Sequence, residues 1–266
     1  MKEIRLAYKI FKTLIKDNFQ YPGRVVVDTV ALLARCGLLL TLYYYVFQLK
    51  GGVVNGVTFQ LIAWSMFFYF AFSVLRLRHL STLMMRDIQS GTIEVLLSKP
   101  ISYLTYRMWW QIGAGLYSFL VITLGATIAM ILIVGIPSTM TIGIFIPTLL
   151  LTFVLGAILA LCLYSIVGLF AFWIEDINPV FWIVDKSVMI LGGSYLPIAL
   201  FPDFMYKIAI YSPFGASQFV SHTVYTSWQT NWAQLVGIQI FWILVLGIIA
   251  FFMFGQAQKK VSVNGG

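Results

Sequence analysis

The chain has 266 residues, 61% of them hydrophobic and only 10% charged, with a formal net charge of +8. Soluble domains carry about 45–50% apolar and about 25% charged residues, so this composition excludes an ordinary soluble domain and points to an integral membrane protein. In that setting the excess of lysine and arginine reads as charge held on the cytoplasmic side of a bilayer, not as a nucleic-acid surface. Cys36 and Cys162 both lie inside apolar runs and imply neither a disulfide framework nor a metal cluster.

Residues 1–24 place Lys2, Arg5, Lys9, Lys12 and Lys16 three and four apart, with Ile4, Tyr8, Phe11, Leu14, Ile15 and Phe19 on the other side. This spacing predicts an amphipathic helix lying in the membrane interface, its cations against anionic lipid heads. Tyr21-Pro22-Gly23 is expected to end it and turn the chain into the bilayer. A spanning helix needs about 20 apolar residues. Six runs come near or beyond this, at about 25–47, 59–75, 112–134, 142–174, 182–200 and 235–254. The second is short and the fourth is long. The expected fold is therefore an all-α integral membrane domain over 25–260 with six transmembrane helices. The polar residues 256–266 are expected to fray, with 261–266 a flexible tail.

The Lys and Arg distribution orients these runs. One side holds Lys2, Arg5, Lys9, Lys12, Lys16, Arg24, Arg76, Arg78, Arg86, Lys99, Arg107, Lys186, Lys259 and Lys260, while the other holds Lys50 and Lys207. Positive charge stays inside, so both termini and residues 86–100 are expected in the cytoplasm. Trp109, Trp110, Trp173, Trp182, Trp232 and Tyr43–Tyr45 gather at the run ends as an aromatic belt.

Between the second and third runs, residues 86–100 read RDIQSGTIEVLLSKP. Ser90 and Gly91 break one helix, Thr92 is placed to cap the next, and Glu94 sits in its first turn. Pro100 closes the element, and Ile93, Val95, Leu96 and Leu97 form an apolar ridge. A short, capped, half-apolar helix facing water is expected to press on a soluble partner. Residues 192–221 are unusual in a different way. Gly192 and Gly193 break the fifth run, Pro197 and Pro202 follow, and short apolar pieces lead to Pro213-Phe214. Pieces of about ten residues are too short to span, and survive at membrane depth only when packed in protein. They are expected to form re-entrant helices on the outer face.

Charges within spans are costly and informative. Asp28 and Arg35 lie seven apart in the first run; Asp185 and Lys186 open the fifth, as a structural bridge between helices or a substrate contact. No nucleotide-cradling G-x-x-x-x-G-K-[ST] motif, no H-E-x-x-H, no C-x-x-C and no G-x-S-x-G elbow occurs. Glu175 and Asp176 read as a solvated turn or partner contact rather than a catalytic pair.

Taken together, the segment 86–100 with its pattern at Arg86, Gly91, Thr92, Glu94, Leu96, Leu97 and Pro100 resembles the coupling helix of permease subunits of type-2 ABC exporters. The downstream pattern Gly192, Gly193, Pro197, Pro202, Pro213 and Phe214 resembles that family's re-entrant extracellular region. Ala171-Phe172-Trp173 with Lys186 and Gly192-Gly193 looks most like a bacterial subgroup of largely uncharacterised permeases. The resemblance covers most of the chain and implies a set of expectations. ATP and Mg are bound by a separate ABC ATPase subunit in two copies, and no cofactor is bound here. A second permease chain, identical or paralogous, completes the pathway, in contact with membrane lipid and without nucleic acid. The cargo is an amphipathic or lipid-like small molecule, drug or natural product, with Tyr44, Phe68, Phe72 and Met189 as candidate path residues. Two competing readings are a non-transporting sensor or partner subunit, and a lipid-modifying enzyme using Glu175, Asp176 and Asp185.

Overall fold

The computed structural model describes residues 9, 12–14, 22–141 and 143–264. The expected interfacial helix over 1–24 therefore lies largely outside the described residues. Lys9 and residues 12–14 are helical, with Lys9 and Lys12 exposed and Leu14 buried.

Helix α1 (Pro22–Leu49) starts at Pro22 itself, a residue suited to a helix's first turn because its missing N–H is not needed there. A two-residue hairpin follows, β1 (Val53–Val54) with β2 (Val57–Thr58), in register Val53↔Thr58 and Val54↔Val57. Its turn is Asn55-Gly56, both at positive φ (51° and 75°), the pairing that a tight hairpin with right-handed strand twist requires. The helical elements that follow are α2 (Phe59–Ser73), α3 (His79–Gln89), α4 (Thr92–Leu97), α5 (Tyr103–Val134) and α6 (Phe145–Leu169). Then come α7 (Asn178–Leu191), α8 (Asp203–Tyr211), α9 (Pro213–Ala216) and the long α10 (Thr226–Asn264).

Four helical stretches are long and apolar enough to cross a membrane: Thr29–Leu49, Tyr103–Val134, Phe145–Phe172 and Thr226–Lys260. The chain is a multi-pass membrane protein. The expected second and fifth runs instead give α2 of 15 residues and α7 of 14. The fifth run is cut where α7 stops at Leu191, before the turn at Ile198–Leu200. The third starts nine residues earlier than expected, at Tyr103, because polar Tyr103, Arg107 and Gln111 continue the helix inward against protein. Helix α10 continues to Asn264, through most of the stretch expected to fray; residues 265 and 266 lie outside the described residues.

Helix α6 is the centre of the bundle. Its later half is buried almost continuously from Leu159 to Leu169, and it packs mainly on α10 and α3. Small residues make these approaches possible. A Cβ on Gly168 would meet Met84 Sδ at 2.8 Å, so this glycine sets how close α3 lies to α6. A Cβ on Gly115 would meet the Leu75 carbonyl oxygen at 2.5 Å, so α5 also has to be bare where the end of α2 crosses it. Cross-bonds fix which ends meet. Gln60 and Trp64, early in α2, donate to the carbonyls of Val134 and Gly135 at the end of α5 (3.0 and 2.8 Å). At the opposite end, Gln111 donates to the Arg76 carbonyl (3.0 Å), and the Tyr103 ring stacks on Phe254 of α10. Large apolar side chains on α1, α5 and α10 point outward, among them Leu38, Leu124, Leu132, Ile133, Phe251 and Phe252. Such faces suit lipid or a partner helix rather than water.

Candidate functional site

The element between α2 and α5 is a helix–break–helix. Helix α3 is capped at its end by Ser90, whose N–H reaches the Arg86 carbonyl (2.9 Å). Gly91 follows in the left-handed region at φ 71°, which glycine adopts at no steric cost, and the chain reverses into α4. The expected Thr92 cap is corrected. Gly91 occupies the cap position without a side-chain bond, and Thr92 is the first helical residue, its hydroxyl 2.8 Å from that of Ser90.

The two faces of this element differ. Ile93 and Leu96 are buried in the apolar cluster with Leu80, Met84, Leu169 and Phe172. Leu96, expected as a partner-facing anchor, is 6% exposed and belongs to the chain's own core. Leu97 is half-buried. On the other face Arg86, Gln89, Glu94, Lys99 and Pro100 are exposed, and Val95 is 65% exposed. The apolar residue that α4 offers outward is therefore Val95.

The inward face is held by a buried charged cluster. Asp87 on α3 accepts from Arg107 Nε (2.6 Å) and Arg107 Nη2, and from the Tyr103 hydroxyl (2.7 Å). Both charged side chains are almost fully buried. A two-pronged arginine–carboxylate pair with a third donor satisfies the carboxylate's lone pairs and fixes the angle between α3 and α5. Sequence reasoning passed over Asp87. The available signal was Tyr103 and Arg107, one helical turn apart at the start of an apolar helix, where two polar side chains on one face need a polar partner.

A second polar cluster lies deeper. Asp185 on α7 is 2% exposed; it accepts from Arg78 Nη1 (3.3 Å) and from the Tyr164 hydroxyl on α6 (3.1 Å). Asp185 thus ties α7 to α6 and to the break before α3. Lys186 points away, lying 5.0 Å from the Trp182 ring centre with Nζ 3.5 Å from Met189 Sδ. A cavity of about 390 Å³ opens beside Asp185, lined by Arg35, Tyr69, Phe72, Arg78, Val188 and Met189 among others. Two of the four candidate path residues, Phe72 and Met189, line this cavity. Tyr44 instead packs edge-on to Phe59, and Phe68 packs among Trp64, Phe67 and Phe145. Arg35 is exposed on α1 and borders the cavity; the Asp28 side chain lies outside the described residues.

Residues 192–221 fold as short pieces wedged into the bundle. Every residue from Gly215 to Tyr225 is buried, against α2, α6, α7 and α10. A Cβ on Gly215 would lie 2.0 Å from the Ala209 carbonyl oxygen, so α9 folds flat on α8 only with glycine there. Gly192 similarly admits Gln218, whose side chain would lie 2.5 Å from an added Cβ. Gly193 takes φ 86° as the chain leaves α7, Pro197 is buried, and Pro202 and Pro213 precede or open α8 and α9. Phe214 is partly buried against the core. Gln239 on α10 donates to the Ala216 carbonyl (2.9 Å), and Tyr43 on α1 to the Tyr195 carbonyl (2.6 Å). His222 is buried, its ring 4.8 Å from that of Phe219.

The acidic residues weighed for an enzyme are engaged singly. Asp176 Oδ1 accepts from the Asn178 N–H (2.9 Å), a turn-forming bond before α7, and Glu175 is exposed with its backbone carbonyl bound by Gln89 (2.9 Å). His79 and His222 line different cavities, and no group of three or more metal-ligating side chains occurs among the described residues.

Residues 34–265 match the family model described as ABC-2 family transporter protein. No curated protein matches the sequence.

Proposed function

The chain belongs to the ABC-2 family of transporter proteins, and from that premise we propose that it is the permease of an exporter driven by a separate ATPase subunit. The observation that carries this reading is the two-faced α3–α4 element. Its inner face is bolted to α5 by Asp87, Tyr103 and Arg107, and its outer face offers Glu94 and Val95, which are exposed among the described residues. A force applied to that outer face is delivered to α5 and α6 as a rigid displacement, because a buried charged cluster and close helix packing resist local give. ATP binding closes two ATPase subunits, which carry the ATP and Mg. The α3–α4 element rides on one of them and tilts the spans. Coupling then follows from different contact of this element with the two ATPase states.

In this reading the chain crosses the membrane six times, through α1, α2, α5, α6, α7 and α10. Helices α2 and α7 rise only about 22 Å at 1.5 Å per residue, against a hydrocarbon core of about 30 Å. The broken segments 74–78 and 192–200 complete those crossings. The positive-inside distribution puts α3, α4 and both ends of the chain in the cytoplasm of a bacterial inner membrane, and residues 192–221 at the outer side as re-entrant helices. A second permease chain, identical or paralogous, covers part of the exposed apolar surface. The cavity beside Asp185, with Phe72 and Met189 in its wall, lies on the path of an amphipathic or lipid-like cargo.

Inverted membrane vesicles carrying this chain and its ATPase test the reading. They are expected to accumulate a fluorescent amphiphile only with ATP, and Met189→Trp, which fills the cavity, should cut that accumulation severalfold while membrane insertion is unchanged. Equal accumulation without ATP or without this chain would refute it.

A further inference from the structure

A second cavity, of about 460 Å³, lies beside the first at the α3 end of the bundle. Its wall includes Arg76, Arg78, Arg86, Thr82, Trp110 and Trp182, drawn from α3, α5, α7 and the break before α3. Three arginines line it, and no carboxylate does among the described residues. Arg78 is balanced by Asp185 on its far side. Arg86 is exposed at the mouth, and Trp182 is exposed beside it. The two cavities share Arg76, Arg78 and His79, so they adjoin at the break between α2 and α3.

We propose that this second cavity binds the phosphate headgroup of an anionic phospholipid from the inner leaflet. Guanidinium groups match phosphate oxygens in pairs and are more weakly hydrated than ammonium groups, which favours them at a partly desolvated headgroup. The Thr82 hydroxyl adds a donor. Tryptophan rings flanking the arginines suit the depth where headgroup meets acyl chain. On the orientation proposed above, a basic pocket between membrane helices on the cytoplasmic side, with exposed Arg86 and Trp182 at its mouth, fits a lipid held by its headgroup better than a freely diffusing anion. The site rests on the membrane orientation given above, but not on transport: the lipid binds whether or not cargo moves.

The test uses the full chain in nanodiscs of phosphatidylcholine doped with phosphatidylglycerol, followed by release and native mass spectrometry of retained lipid. Phosphatidylglycerol is expected to be retained over phosphatidylcholine. Arg86→Gln, at an exposed position, should lower that retention about tenfold, the scale of one charge-assisted contact, and Arg86→Glu should lower it further. Lys50→Gln on the opposite side should have no effect. Retention of phosphatidylcholine equal to phosphatidylglycerol would overturn the proposal, as would unchanged retention in both Arg86 variants. Displacement of the lipid by inorganic phosphate at matching concentration would also overturn it, by assigning the cavity to a soluble anion. Absence of ATP-driven accumulation by the unaltered chain, with lipid retention intact, would count against the transport reading alone.

Discussion

Replacing Asp87 with alanine is expected to destabilise the chain by about 3–5 kcal/mol, because it leaves the Arg107 guanidinium buried without its counter-charge. Arg107 is 9% exposed at its side chain, so water does little to compensate. The Tyr103 hydroxyl loses its acceptor at the same time. Thermal unfolding of the purified chain in detergent checks this, with a fall in the midpoint of several degrees. Asp87→Leu combined with Arg107→Leu should recover part of the loss, because no charge is then stranded, while the Tyr103 hydroxyl still lacks its acceptor. The double variant separates two roles. If the cluster acts as a rigid joint, the recovered protein folds but transmits less of the ATPase stroke, so ATP hydrolysis proceeds with reduced transport. A double variant as unstable as Asp87→Ala would mean that the pair is needed for folding itself.

The second large effect is expected on the outer face of α4. Glu94→Lys with Val95→Asp reverses one exposed charge and removes the exposed apolar contact while leaving Ile93 and Leu96 in the core. Partner binding, measured by co-purification of the ATPase subunit, should fall at least about tenfold, since central contacts of an interface commonly cost more than 1–2 kcal/mol when replaced. Membrane insertion and melting temperature should stay near wild type. Leu96→Ala is the informative contrast. It empties a buried site and is expected to cost about 2–5 kcal/mol of stability, so its loss of activity would report folding rather than docking. Unchanged co-purification of the ATPase with the Glu94/Val95 variant would remove the docking face from the account.

The two findings show what a linear reading reaches. The helical break at Ser90–Gly91 was legible because glycine punctuates a helix and because the preceding carbonyls need a cap. The division of labour between Val95 and Leu96 was not, because adjacent residues on a six-residue helix point in different directions and only the packing partner decides which is inside. The same applies to Asp185 and Lys186. They are neighbours in sequence, yet one joins α6 and the break before α3 while the other lies against Trp182. The breaks at Gly192 and Gly193 were visible, but their reason is tertiary: a side chain at Gly192 would collide with Gln218, 26 positions away. The hairpin was a missed local signal, since Val53-Val54-Asn55-Gly56-Val57-Thr58 carries its own turn chemistry. Run length misjudged the ends of α5 and α10, because polar residues there face protein or the aqueous side while the helix continues past the apolar stretch.

The central claim is that the α3–α4 element faces the cytoplasm and is gripped by an ATPase. A single cysteine introduced as Val95→Cys reports both halves, and the native Cys36 and Cys162 are buried and give little background. A membrane-impermeant maleimide is expected to label position 95 in inside-out vesicles and not in intact cells, and co-expression of the ATPase subunit should protect it. Labelling from outside intact cells, or labelling in inside-out vesicles that the ATPase leaves unchanged, would contradict the account.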